Sequence, residues 1–83
     1  MLKILYFAHL REALGQGDEN LPLPSGVGDV AALRRYLADR GGPWHHLLTA
    51  RNLRCAINQE MARSDSAIAD GDEVAFFPPV TGG

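Results

Sequence analysis

The chain has 83 residues, 8 basic and 10 acidic side chains, and a formal net charge of −2. This length predicts one domain, and the lack of a basic stripe argues against nucleic-acid binding. No apolar stretch is long enough to cross a bilayer. Cys55 is the single cysteine, which excludes an internal disulfide and is typical of a reducing compartment, so we expect a cytoplasmic protein.

The first eight residues, MLKILYFA, mix β-branched, aromatic and aliphatic side chains. They predict a strand rather than a signal peptide. Strand side chains alternate between two faces, so the even-numbered residues, Ala8 included, are predicted to face the core. Lys3, Leu5 and Phe7 then face outward, because Lys3 prefers water. Turn residues at 15–18 lead to a second strand, predicted over 19–23.

The middle of the chain predicts one main helix. Asp29 is a candidate N-cap, and apolar residues recur at helical spacing over 30–40. Arg34 and the other charged residues of this helix are expected to point away from the sheet. Gly41-Gly42 and Pro43 are expected to end the helix.

The remaining elements complete an α+β pattern. They are a short helix over 44–49 that adds Trp44, Leu47 and Leu48 to the core, strands over 53–58, 61–63 and 73–77, and a polar connection anchored by Ile68. The order β-β-α-β-β-β predicts one helix packed on a mixed sheet, with the first and last strands as neighbours. This is the β-grasp, or ubiquitin-like, architecture.

The chain ends in an unusual tail, residues 78–83, which follows the last strand of the single domain 1–83. Pro78-Pro79 cannot donate to a sheet and favours an extended exit. Gly82-Gly83 has no side chains, so it can enter a tunnel too narrow for bulkier residues. Its carboxylate needs external activation, such as adenylation, because the sequence has no phosphate-binding loop. The alternative is an inert, frayed terminus.

The last strand also predicts a surface feature. If Val74 and Phe76 face the core, Phe77 points outward with Ala75. Phe77 and Phe7 would then form an exposed apolar patch at the base of the tail. Such patches often mark partner sites. The alternative is that a terminal segment folds over and covers Phe77.

Several segments together resemble one known family. They are Tyr6-Phe7-Ala8, Arg11-Glu12, Ala32-Leu33-Arg34, Ala56-Ile57-Asn58-Gln59 and the final run DGDEVAFFPPVTGG at 70–83. The chain is similar to the ubiquitin-like sulfur carriers that form the small subunit of molybdopterin synthase. The resemblance covers essentially the whole chain, and its specific part is the C-terminal run.

The resemblance implies a reaction cycle. An E1-like adenylyltransferase would activate the Gly83 carboxylate, and a sulfur donor of the cysteine desulfurase or rhodanese type would convert it to a thiocarboxylate. The carrier would dock on the large subunit of molybdopterin synthase, in a heterotetramer of two small and two large subunits. There its sulfur would go to cyclic pyranopterin monophosphate to build the molybdopterin dithiolene. Catalytic side chains are expected on the large subunit, and no cofactor, metal, membrane or nucleic acid is implied.

The resemblance also implies residue roles. Gly83 would carry the sulfur, and Gly82 would give access to the partner's tunnel. The expected partner-binding residues are Phe7, Met61, Phe77, Pro78, Pro79, Val80 and Thr81. Met61 stands where the family often has leucine, and its flexible apolar side chain suits a contact surface.

Other functions stay open. The chain is alternatively a sulfur carrier for another pathway, such as that of thiamine, or a ubiquitin-like modifier that forms an isopeptide through Gly83. A third alternative is a binding module with an inert tail.

Four sequence features receive no functional prediction. His45-His46 lacks a cysteine or carboxylate at ligand spacing, and His9 is expected at the surface. Cys55 is expected to be an inert core thiol. Arg11-Glu12 is expected to form an ion pair at a turn, with contact to a partner as the alternative.

Overall fold

The computed structural model describes residues 1–50 and 52–79. Within these ranges the elements are β1 (Leu2–Tyr6), α1 (Ala8–Leu14), β2 (Asp18–Leu21), α2 (Val30–Ala38), a 3-10 helix (Gly42–His45), α3 (His46–Thr49), β3 (Arg54–Ile57), β4 (Glu60–Ala62) and β5 (Glu73–Phe77). None of the helices in the described ranges is long and apolar enough to span a membrane.

The described strands form one mixed sheet in the order β2-β1-β5-β3-β4. Strands β1 and β5 are parallel, and the other neighbouring pairs are antiparallel. The first and last strands are therefore neighbours inside the sheet, as predicted. Strands β1 and β2 form the first part of the sheet, α2 crosses over it, and β3, β4 and β5 complete it. This is the β-grasp arrangement.

The core lies between the helices and one face of the sheet. Its largest fully buried side chains are Tyr6, Phe76, Leu2, Ile4, Leu10, Leu33, Leu37, Leu47, Val30 and Val74. The buried residues of β1 and β5 alternate with more exposed neighbours along each strand. The predicted alternation is therefore confirmed for both central strands.

Two side chains fix the position of helix α2: Asp29 caps its start, and Arg34 binds to α3. The Asp29 side chain accepts a hydrogen bond from the Ala32 backbone N–H at 2.8 Å, so the predicted N-cap is confirmed. The Arg34 prediction was wrong. Its Nε and Nη2 donate to the Leu47 carbonyl at 2.8 and 2.6 Å, because the free carbonyls at the end of α3 need donors. Arg34 therefore joins α2 to α3 instead of pointing to solvent.

Helix α1 was not predicted from the sequence. Ala8 begins this helix instead of ending β1, and Arg11-Glu12 lies on the helix rather than at a turn. Leu10 and Leu14, one helical turn apart, are buried in the core. That spacing was the available signal. Gly15, at a φ of 76°, ends the helix in the left-handed conformation.

The short helical segment also differs from its prediction. It begins as a 3-10 helix at Gly42 and continues as α3. Leu47 is fully buried and Trp44 is half-buried, but Leu48 is 43% exposed, so its predicted core position was wrong. Leu48 lies one residue after the buried Leu47, and neighbouring positions on a helix point in different directions.

Candidate functional site

The sheet face opposite the helices carries a row of apolar side chains across four strands. Leu5 pairs with Ala75, Ala75 with Ala56, and Ala56 with Met61. Paired residues present their side chains on the same face, so the row is continuous from β1 to β4. Met61 is 64% exposed.

Two phenylalanines lie at the end of this row. Tyr6 pairs with Phe76 in the parallel ladder, and the Phe7 N–H donates to the Phe76 carbonyl at 3.2 Å. Phe7 and Phe77 therefore occupy adjacent positions one residue farther along. Phe7 is 46% exposed and Phe77 is half-buried. We call these two residues together with Leu5, Ala75 and Met61 the apolar surface; Ala56, which connects Ala75 to Met61 in the row, is itself buried.

A partly buried network lies on the core side of β1 and β5. The rings of Tyr6 and Phe76 stack with centroids 6.3 Å apart. The Tyr6 hydroxyl donates to Glu19 at 2.8 Å, and the Arg40 guanidinium lies 4.4 Å from the Trp44 ring centre. Burial, together with the bond to Glu19, raises the pKa of Tyr6 far above its ordinary value. Tyr6 therefore stays a neutral donor beneath the two phenylalanines.

Ala8 makes the junction between β1 and α1, directly after Phe7. Its φ is 55°, in the left-handed region that residues with a Cβ rarely adopt. This conformation redirects the chain where β1 ends and α1 begins. Backbone strain is therefore stored immediately beside Phe7.

A groove of about 140 Å³ lies at the base of the C-terminal segment. Pro78 and Pro79, both half-buried, form one part of its lining. The other lining residues come from α1, α3 and the chain that follows α3: His9, Leu10, His46, Ala50, Asn52 and Leu53. The predicted site residues Val80, Thr81, Gly82 and Gly83 lie outside the described residues.

Cys55 is buried in the core, with 6% exposure. Burial raises the pKa of its thiol to about 11, although the nearby charge of Arg34 acts in the opposite direction. The thiol is thus protonated at neutral pH, as its predicted core position implies. In residues 1–50 and 52–79, no three histidine, cysteine or acidic side chains group together as metal ligands.

The fold places the predicted residues Phe7, Phe77 and Met61 on one face of the sheet. Phe7 and Phe77 lie on the outward face as their alternation predicts. Ala56 was missed, although its alternation with Cys55 and Ile57 along β3 was a usable signal. The connection from Ala56 to Met61 depends on strand order and register, which the sequence does not show.

The fold and the partly exposed apolar surface define a small ubiquitin-like protein of the β-grasp class. The crystal structure of SAMP1 from Haloferax volcanii is similar, with a TM-score of 0.74 and 28% identity, over 99% of this chain and 98% of that chain. A putative molybdopterin converting factor subunit 1 from Pyrococcus furiosus matches at a TM-score of 0.73 and 28% identity, over 95% and 97% of the two chains. The predicted fold is confirmed.

The family follows from sequence comparison. The ThiS family model matches residues 4–83. The molybdopterin synthase sulfur carrier subunit of Haemophilus influenzae is 42% identical over 83 residues, which is 100% of both chains. The protein of the same name from Escherichia coli is 41% identical, also over 100% of both. The chain therefore belongs to the ThiS family, and the family resemblance is confirmed.

Proposed function

We propose that this chain is the sulfur carrier subunit of molybdopterin synthase. An E1-like enzyme adenylates the Gly83 carboxylate, a sulfur donor converts it to a thiocarboxylate, and the sulfur passes to cyclic pyranopterin monophosphate to form the molybdopterin dithiolene. End-to-end similarity to two sulfur carrier subunits, at 42% and 41% identity, supports this proposal. Gly82 and Gly83 carry no side chains, as the proposed entry into a narrow tunnel requires.

The geometric observation that carries the proposal is the parallel pairing of β1 and β5. This pairing sets Phe7 and Phe77 side by side at the end of the sheet where β5 runs into Pro78. The apolar surface and the start of the C-terminal segment therefore lie together. A partner that binds this surface also meets the segment that leads to Gly83.

The proposed chemistry follows from the nature of a carboxylate. A carboxylate is a poor electrophile, and adenylation converts one of its oxygens into part of a good leaving group, AMP. The terminal sulfur of a persulfide on the donor then displaces AMP from the carbonyl carbon, and a thiol reductant cleaves the S–S bond of the resulting acyl disulfide to release the thiocarboxylate. The sequence carries no phosphate-binding loop, so both steps rely on partner enzymes: an E1-like adenylyltransferase and a cysteine desulfurase or rhodanese-type sulfur donor.

The final transfer takes place on the large subunit of molybdopterin synthase, in a cytoplasmic heterotetramer of two small and two large subunits. The catalytic side chains belong to that subunit. Residues 1–83 act as one carrier domain, residues 78–83 act as its tail, and Gly82 gives access to a narrow tunnel. The residues proposed to contact the large subunit are Phe7, Met61, Phe77, Pro78, Pro79, Val80 and Thr81.

A second candidate function is that of a conjugated modifier. The similarity to SAMP1, named a small archaeal modifier protein in a second structure, favours it. A modifier forms an isopeptide between Gly83 and a lysine of its target, so higher-mass adducts accumulate in cell extracts. A sulfur carrier for a thiamine-type pathway is a further alternative. It is distinguished from the main proposal by measuring whether the activated chain supports formation of molybdopterin or of the thiamine-pathway product.

Reconstitution tests the main proposal. The chain is incubated with the activating enzyme, ATP, a sulfur source, the large subunit and cyclic pyranopterin monophosphate, and molybdopterin is measured. We expect product with the wild-type chain. We expect none after deletion of Gly83 or addition of one residue beyond it, while the thermal unfolding midpoint stays unchanged. Full activity of the extended variant would contradict the proposal and favour a binding module.

A further inference from the structure

We propose that His9 and His46 form a binding site for a divalent transition-metal ion of the zinc class, in the groove beside Pro78 and Pro79. Helix α1 supplies His9 and helix α3 supplies His46. The two rings meet edge to face with centroids 6.5 Å apart. The fold thus gives His46 a different imidazole partner from its sequence neighbour His45.

The ring separation is close to that of a chelating pair. Two imidazoles on one tetrahedral ion have centroids roughly 5 Å apart, because each metal–nitrogen bond is about 2.0 Å. The rings of His9 and His46 therefore need to approach by about 1.5 Å. Both residues are exposed, so rotation about their side-chain torsions supplies this movement without disturbing the core.

The groove offers a third possible metal ligand and apolar walls that partly exclude water. Asn52 lines it together with the two histidines, and its amide oxygen is a suitable additional ligand. Leu10 and Leu53 contribute apolar walls. Water would fill the remaining coordination positions. Among the lining residues that the structure describes there is no carboxylate, so the two imidazole nitrogens provide most of the affinity of this described set. Imidazole favours zinc, copper and nickel.

The proposed metal site does not depend on the sulfur-transfer function, but it includes Pro78 and Pro79, which begin the C-terminal segment. Pro78 and Pro79 line the groove and are also the first residues after β5. An ion held by His9 and His46 would lie against the two prolines through which the chain leaves the sheet. Zinc binding is therefore measurable on the carrier alone, without any partner enzyme.

Calorimetry with Zn²⁺ on the untagged full chain tests the site, at neutral pH because metal binding to histidine competes with protons. We expect one bound ion. His9→Ala and His46→Ala should each weaken binding about tenfold or more, because each removes one of two nitrogen ligands. Asn52→Asp should strengthen it, because a carboxylate replaces a neutral amide oxygen.

His45→Ala is the matched control, since His45 is exposed but does not line the groove. Its zinc affinity should equal that of the wild-type chain. Circular dichroism should show the same unfolding midpoint for all three histidine variants, because all three side chains are exposed. Wild-type affinity in His9→Ala or His46→Ala, or an equal loss in His45→Ala, would overturn the proposal.

Discussion

Arg40 donates two hydrogen bonds to the carboxylate of Glu19, at 2.7 and 2.9 Å. This bidentate pair connects the chain just after α2 to the edge strand β2. The Tyr6 hydroxyl donates to the same carboxylate, and the Trp44 ring lies against the guanidinium. Because the pair is partly shielded from water, it should contribute more than an ordinary surface ion pair.

Glu19→Gln should lower the free energy of unfolding by about 1–2 kcal/mol, because it weakens charge-assisted hydrogen bonds that are partly buried. Urea denaturation measures the change. Asp65→Asn is the control, since Asp65 lies 3.6 Å from Arg63 and both side chains are largely exposed. The control should leave stability unchanged. Equal effects of the two substitutions would contradict a special role for the Glu19 pair.

The same carboxylate should make stability depend on pH. Burial raises the pKa of Glu19, but the hydrogen bonds from Arg40 and Tyr6 and the charge of Arg40 outweigh it, so the net pKa is lowered. A carboxyl whose pKa is lower in the folded state stabilises the fold above its unfolded pKa, which is about 4.3 for glutamate. That stabilisation is lost as the pH falls through the folded pKa.

The difference in unfolding free energy between wild type and Glu19→Gln should therefore be constant near neutral pH and shrink below about pH 4.3. Denaturation series at several pH values measure it. Other carboxyls titrate in the same range, but they are common to both proteins and cancel in the difference. A difference that stays constant into acid would contradict the lowered pKa.

Local patterns predicted much of this fold. The alternation in β1 and β5 identified their buried faces, and Asp29 marked the start of α2, because these features depend on near neighbours in sequence. The hydrogen-bond partners of Arg34 and Arg40 could not be predicted from neighbouring residues. Their partners, the Leu47 carbonyl and the Glu19 carboxylate, are brought to them by the tertiary fold.

The candidate site likewise contains a part that local sequence predicts and a part that depends on the tertiary fold. Alternation and the adjacency of the first and last strands predicted that Phe7 and Phe77 lie together. The sequence did not connect Met61 to them, because that link passes through the register of β3 with both of its neighbours. The His9–His46 contact was missed because α1 itself was missed.

Ala8→Gly should raise the free energy of unfolding by about 0.5–1 kcal/mol. A left-handed φ costs a non-glycine residue about 1–2 kcal/mol, and the greater flexibility of glycine in the unfolded chain removes part of the gain. Ala13→Gly, at an exposed position of the same helix, is the control and should lower stability by about 0.5–1 kcal/mol. Destabilisation by both substitutions would show that Ala8 is not strained.

Phe7→Glu and Met61→Glu should each weaken binding to the large subunit about tenfold or more, because a charge placed in a desolvated apolar contact costs at least about 1.4 kcal/mol. Leu48→Glu is the matched control, since Leu48 is 43% exposed and lies on the helical side of the molecule. Calorimetric titration measures the affinities. An equal loss in the control, or wild-type affinity in both test variants, would exclude the apolar surface as the docking site.

The central claim is that Gly83 becomes a thiocarboxylate, and intact-mass spectrometry tests it most directly. The chain is incubated with the E1-like enzyme, ATP and a sulfur source, beside the Escherichia coli carrier subunit as a positive control. We predict the mass gain of one oxygen-to-sulfur exchange, located at Gly83 by fragmentation and absent when Gly83 is deleted. An unchanged mass, in a reaction that converts the control, would contradict the proposed function.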